Sequence, residues 1–232
     1  MGCDIHMYAE VKKSFKDKKF KPEWQAVGKE FKDEYYNKKE VQCLGEDGYC
    51  WNEKYSKHPY DGRNYVLFGF LADVRNGSGF GGVDIGDRIE PIAETRGLPV
   101  DVSDYVKKQS DDWNDDGHSR SWFTLDELKK ANWEQKITKR GEVSKEEYAI
   151  FKKDGVPKTW CGHCSGSKVI NIDEKAYEKI EKVKGEHYSI SIEWQTKLSS
   201  YCADFKKSMK ALEKLLKYKN VLDVRVVFWF DN

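Results

Sequence analysis

The sequence has almost no excess charge of either sign: 41 Lys and Arg against 40 Asp and Glu leave a net +1 over 232 residues. Non-specific binding of long nucleic acid needs a positive surface, so this balance argues against that class while leaving room for a local basic patch. Also missing is any apolar run near the ~20 residues that a membrane span requires. The first residues lack the charged-then-apolar order of a signal peptide, and no internal repeat is visible. The expectation is a soluble, cytoplasmic protein with no membrane partner. Met1-Gly2-Cys3 opens like an acylation signal, but His6 stands where that pattern takes Ser or Thr.

Hydrophobic residues make up 38% of the chain and mean hydropathy is −0.83, yet aromatics reach 14% with eight tryptophans. Rings in that number furnish a core, and they can also stack on a base. The length suits one compact domain with insertions. The expected class is α+β, a mixed or antiparallel sheet with packed helices. Residues 31–59 read as an aromatic, irregular insertion, and residues 143–232 as scaffold.

The most motif-dense stretch is YDGRNYVLFGFLADVRNGSGFGG, residues 60–82. Val66, Phe70 and Val74 at four-residue spacing, with Leu67 and Leu71 one position on, predict a short helix over 65–74 with a broad apolar face. Arg63-Asn64 and Arg75-Asn76 bracket it, and Gly77, Gly79, Gly81 and Gly82 follow. Arginine forks beside a glycine-rich backbone suit an anion or phosphate cradle. The alternative is that the arginines cap helix ends or pair with carboxylates.

Along the rest of the chain, residues 3–11 alternate as a strand, with Ile5, Met7, Ala9 and Val11 expected on the buried face. Asp4, His6, Tyr8 and Glu10 share the other, so His6 is an acid/base candidate. SFKDKKFKPEWQAV reads as an exposed hairpin whose lysines supply solubility. Arg96 precedes a Gly-Leu-Pro turn, and a helix is expected from Ser103 or Asp104. Residues 117–122 read as a loop that carries His118, Ser119, Ser121 and Trp122 in front of a helix capped by Thr124 and Glu127. Ser144 with Glu147 starts another helix. Further expectations are a strand at 168–172, a helix at 174–183, a strand at 187–194, a long amphipathic helix at 196–218, and a closing strand at 221–230 paired with the first.

Trp160-Cys161-Gly162-His163-Cys164 matches a disulfide-isomerase dithiol motif, but it lacks the apolar strand before it and the helix after it that such a site needs. Cys43, Cys50, Cys161 and Cys164 also have the residue types of a zinc knuckle. The default for a cytoplasmic chain is reduced cysteines without chemistry, no metal and no cofactor.

The blocks MGCDIH, DGRNYVLFGFLADVRNGSGF, RGLP and DGHSRSW with TLDEL resemble a family of phage and prophage proteins that carry the same blocks in the same order. The resemblance covers residues 1–12 and 60–130 and implies a viral setting, an infected host cell. Phage accessory proteins of this size include several that bind or cleave nucleotide immune signals. Three functional expectations follow. In the first, Arg63, Arg75 and Arg96 hold phosphates, Asn64, Asn76, Ser119 and Ser121 supply polar contacts, and Tyr65, Phe80 and Trp122 stack a base, making a sponge for a cyclic oligonucleotide or ADP-ribose-type signal. In the second, His6 and His118, with Asp4 or Glu10 orienting His6, cleave such a signal without a metal. In the third, the chain is a non-catalytic interaction or structural protein. Enclosure of a small ligand would favour a homo-oligomer.

Overall fold

The computed structural model describes residues 2–17, 19–28, 31–32, 55–161, 167–170 and 173–231. The chain is α+β. Its strands are β1 (Ile5–Lys13), β2 (Glu23–Ala26), β3 (Phe31–Lys32), β4 (Tyr55–Ser56), β5 (His118–Thr124), β6 (Lys136–Val143), β7 (Ser167–Ile170), β8 (His187–Lys197) and β9 (Val221–Phe230). The helices are α1 (Tyr65–Ala72), α2 (Asp104–Asp111), α3 (Leu125–Lys130), α4 (Lys145–Asp154), α5 (Glu174–Lys179), α6 (Leu198–Tyr201) and α7 (Ala203–Leu215). Contacts group the chain into two compact units. One comprises Cys3–Arg63, Glu94–Ala131 and Asp204–Asn232; the other comprises Met1–Gly2, Asn64–Ala93 and Asn132–Ala203.

The first unit holds an antiparallel sheet in the order β2-β1-β9-β5, with the closing strand paired to the first as its sequence suggests. Every β9 residue from Val224 to Phe230 is buried, which suits its Val, Phe and Trp content in a central strand. Ile5, Met7, Ala9 and Val11 are buried as the alternation requires. The opposite face departs from expectation, because Tyr8 and Glu10 are buried as well. Val106 of α2 joins Tyr8, Val227 and Trp229 in one apolar cluster, so a helix covers much of what read as an open face.

Residues 118–124 form a strand, not the expected loop. Ser121 and Phe123 point inward opposite Phe228 and Val226, and a register shift with Ser119 at φ 51° disguises the alternation. The capping box of Thr124 and Glu127 forms reciprocally at the start of α3.

In the second unit β8 pairs antiparallel with β6 and parallel with β7. Ile190, Ile192 and Trp194 of β8 pack with Val143 and with Tyr148 of α4. Asn64 caps α1, and Asp73 ends it in the left-handed region. Residues 66–72 are all buried, so α1 is apolar on every side and not on one face only. The helix expected over 196–218 breaks at Cys202 into α6 and α7. Leu198, Cys202, Phe205, Met209 and Leu212 are buried as the stripe predicts, but Leu215 takes the place expected for Leu216, which is exposed.

Candidate functional site

The titratable groups expected on β1 divide into two sets. At the strand's start, Arg63 donates Nε–H to Asp4 Oδ1 at 2.7 Å and a second N–H to Oδ2. This guanidinium holds the Asp4 carboxyl below its ordinary pKa, against a smaller opposing effect of burial. Both side chains remain accessible, at 51% and 44% exposure. Asp231, just beyond β9, ties the corner together: its Oδ1 accepts the Asp4 backbone N–H at 2.8 Å and its Oδ2 lies 3.2 Å from His6 Nε2. When the neutral imidazole donates from Nε2, Nδ1 keeps the lone pair. Trp113 covers the imidazole at 4.0 Å between ring centroids, and Trp229 lies behind it at 6.0 Å. The turn that presents Trp113 is fixed by Arg120, which donates to Ser110 Oγ at 2.8 Å and to the carbonyls of Asn114 and Gly117. His58 lies nearby, edge-on to Tyr8, with Nδ1 3.0 Å from the Met7 carbonyl oxygen; burial lowers its pKa against the opposing pull of that hydrogen bond.

Glu10 belongs to the second set and does not orient His6. Its Oε2 accepts from Arg225 Nε at 2.7 Å and its Oε1 from the Ser103 backbone N–H at 2.8 Å. Arg225 also donates to Asp101 and stacks 4.0 Å above the Trp24 ring. This is a buried structural ion pair linking β1, β9 and the start of α2.

His118 lies opposite Phe230 on β9, whereas His6 lies opposite Trp229. Adjacent strand residues point to opposite faces, so the two imidazoles are separated by the sheet and cannot act on one bond. His118 Nδ1 is 3.0 Å from Ser119 Oγ, and its ring stacks on Phe230. His118 Nε2 and Trp229 Nε1 are buried and have no partner among the described residues.

Arg96 and Arg63 do not converge either. Arg96 donates to Glu127 Oε1 at 2.7 Å and lies over the Trp122 and Phe123 rings. Trp122 stands opposite Val227, four residues along from Asp231, or ~13 Å of strand. The Ser121 hydroxyl accepts the Arg96 backbone N–H. Trp122 therefore contacts guanidinium groups of the protein itself, those of Arg96 and Arg225.

In the other unit Asn64 accepts the Leu67 N–H as a helix cap, and Asn76 bonds Asp73 and both backbone groups of Ile89. Tyr65 packs edge-on against Phe68, and Arg75 adopts φ 52° between them and the glycine loop in sequence. The glycine loop closes on itself: Gly79 N–H bonds the Val83 carbonyl and Gly82 N–H the Gly79 carbonyl. The Gly79 and Gly82 amides are thus internal ties and are not turned out as a cradle. Phe80 lies in a short 3-10 turn, and its side chain falls outside the described residues. Cys43, Cys50 and Cys164 also lie outside them; Cys161 is a free, half-buried thiol. Among the described residues no three His, Cys, Asp or Glu side chains gather as a metal site.

A cleft of about 660 Å³ opens between β2 and the first turn of α2, lined by Trp24, Tyr105 and Lys57 but also by Glu23, Asp101 and Asp104. Three carboxylates against one lysine oppose a phosphate ligand there more than at the Asp4 corner, where two carboxylates stand with Arg63 and His6. The corner of Asp4, His6, Arg63, Trp113 and Asp231 is the better candidate. Sequence reasoning found three of those residues and missed Trp113 and Asp231. The antiparallel register of β1 with β9, which puts position 231 opposite position 4, would have pointed to Asp231. Searches against protein-family models, curated proteins and solved structures gave no match.

Proposed function

We propose that the protein binds a phosphorylated, nucleotide-derived small molecule, such as a cyclic oligonucleotide or an ADP-ribose-type signal, at the Asp4–His6–Arg63–Asp231 corner and retains it uncleaved. The observation that carries this reading is the gathering of an accessible guanidinium fork on Asp4 with an imidazole on Asp231 and an indole over that imidazole, the two acidic residues being tied together by the Asp4 N–H. An ion pair as exposed as Arg63–Asp4 contributes ~0–1 kcal/mol, so a multiply charged phosphate can take over the fork. Asp4, once released, is an acceptor for a ribose hydroxyl, and Trp113 offers a face for a base. The phage-family resemblance of the residue blocks supports a counter-defence setting, in which the ligand is a host immune signal.

Sequestration is preferred to cleavage because only one of the two proposed catalytic histidines lies on this face. One feature favours cleavage: the Asp231 carboxylate at His6 Nε2 leaves Nδ1 placed to act as a general base. Equilibrium dialysis of a cyclic-nucleotide and cyclic ADP-ribose panel against the wild type, Arg63→Ala and Asp231→Asn separates the two. Sequestration requires Arg63→Ala to bind roughly 10- to 100-fold more weakly, the loss expected for one charge-assisted contact. Cleavage requires Asp231→Asn to keep binding and lose product formation. Undiminished retention by Arg63→Ala would remove the proposed site.

A further inference from the structure

The lysine-rich hairpin between β1 and β2 reads in sequence as a solubility feature, but the fold gives it a neighbour. Ser14 N–H donates to the Asn220 carbonyl at 2.9 Å, and Lys13 pairs with Val221. The β1–β2 turn and the α7–β9 turn, some 200 residues apart in sequence, therefore form one end of the four-stranded sheet. Residues 12–23 and 214–223, which include the Glu23 and Asp223 set opposite Lys13 and Lys12, contain nine lysines against three carboxylates, a charge of +6 in a chain whose total is +1. Lys16, Lys19, Lys21, Lys214, Lys217 and Lys219 are exposed. Asp17, the one acid within the two turns, accepts the Lys19 backbone N–H.

Large apolar side chains project from the same two turns. Phe20 is 63% exposed and Leu222 56%, and Phe15, Leu216 and Tyr218 are exposed too. Phe15 and Phe20 lie 5.9 Å apart by ring centroid. Leu222 is the extra residue of the β1–β9 register shift at Lys12 and Lys13, which turns it away from the ladder. A solubility device has no use for these side chains, whereas lysines around projecting apolar groups match a surface with anionic headgroups over hydrocarbon.

We propose that this end of the sheet docks onto an anionic lipid bilayer, with the lysines at the headgroups and Phe15, Phe20 and Leu222 entering the interface. A single-stranded nucleic acid would share the charge and could stack on the phenylalanines, but Leu216 and Leu222 give it nothing to stack on. The docking is peripheral and needs no spanning segment: among the described residues no helix is long and apolar enough to cross a membrane.

The test is co-sedimentation of the full chain with phosphatidylcholine vesicles and with vesicles enriched in phosphatidylserine, over a series of salt concentrations, alongside titration with a fluorescent oligothymidylate. The expected result is partition onto the anionic vesicles alone, weakening as salt rises. Each lysine near such a surface is worth about fivefold in partition, so Lys16→Glu with Lys19→Glu should lower it at least ~25-fold. Leu222→Asn should weaken vesicle binding while leaving the salt dependence unchanged. All these positions are solvent-facing, and circular dichroism verifies that each variant is folded. No partition onto anionic vesicles at low salt would overturn the proposal. So would tight oligothymidylate binding that Leu222→Asn leaves intact alongside vesicle binding that it fails to weaken.

Discussion

Replacing Glu10 with Ala probes the interaction that fastens β1, β9 and the start of α2 together. Glu10 and Arg225 side chains are 0% and 2% exposed, and the carboxylate uses both oxygens, one on Arg225 and one on the Ser103 N–H. Removing it leaves a buried guanidinium with Asp101 as its remaining acidic partner, and that carboxylate is largely exposed and screened. Burial is the largest single influence on the Asp101 carboxyl and raises its pKa, but the hydrogen bond and charge of Arg225, with smaller contributions from the Asp101 backbone and Trp24, together bring it below the ordinary value; Asp101 still cannot replace the lost neighbour. Breaking one side of a buried pair costs about 3–5 kcal/mol, and here the orphaned Ser103 amide adds to it. For a chain of this size that corresponds to a fall in Tm of about 6–20 °C. Urea denaturation followed by circular dichroism measures the difference. A double replacement, Glu10→Leu with Arg225→Met, should cost much less than the sum of the two single changes, because it removes both charges. A Glu10→Ala variant within ~1 kcal/mol of the wild type would refute the claim that this pair is a structural fastening.

Two further perturbations probe the other unit. Lys139 is buried with its ammonium 4.6 Å over the Tyr201 ring, and burial lowers its pKa from 10.5 to about 8. Below pH 8 both folded and unfolded chains hold this proton and the burial penalty is fully present. Between pH 8 and 10.5 the unfolded chain holds more protons, so this group makes stability rise with pH, by up to roughly 3 kcal/mol. Cys202, raised from 9.0 to about 12 mainly by burial, acts in the opposite direction above pH 9. Lys139→Met should therefore be more stable than the wild type at pH 7, with an advantage that shrinks toward pH 10.5; an advantage that grows over that window would reverse the sign of the argument. Gly86 has φ 132°, and a Cβ there would sit 1.7 Å from the Thr138 carbonyl oxygen. Gly86→Ala should lose more than about 3 kcal/mol in chemical denaturation, and a loss below ~1 kcal/mol would mean that the backbone can yield.

What the sequence made legible was mainly local. Thr124 with Glu127, Ser103, and the apolar run after Asn64 each specify a helix start through their own side chains, and each helix starts there. Period-two alternation placed β1 and its buried odd face. Long-range features were hidden. That Tyr8 and Glu10 are buried depends on α2 covering them, and nothing within β1 signals this. The β5 strand was obscured by Gly117 and the left-handed Ser119, which read as loop chemistry. Arg63, Arg96, Asn64 and Asn76 have the residue types of a phosphate cradle, but each finds a partner inside the protein, and only tertiary structure can reveal that. Asp231 is a lone carboxylate at the chain's end until strand register brings it to His6.

The central claim is that the Asp4–His6–Arg63–Asp231 corner retains a nucleotide-derived ligand intact. Its most direct test is mass spectrometry of free small molecules after incubating the protein with cyclic dinucleotides, cyclic trinucleotides and cyclic ADP-ribose isomers, repeated after heat denaturation. Sequestration predicts that one compound disappears from solution and returns on heating at unchanged mass, and that the Arg63→Ala variant needs roughly 10- to 100-fold more protein to remove as much of it. A product of altered mass would contradict retention and make His6 with Asp231 a catalytic dyad. A panel that stays free and unchanged would contradict ligand binding of this class.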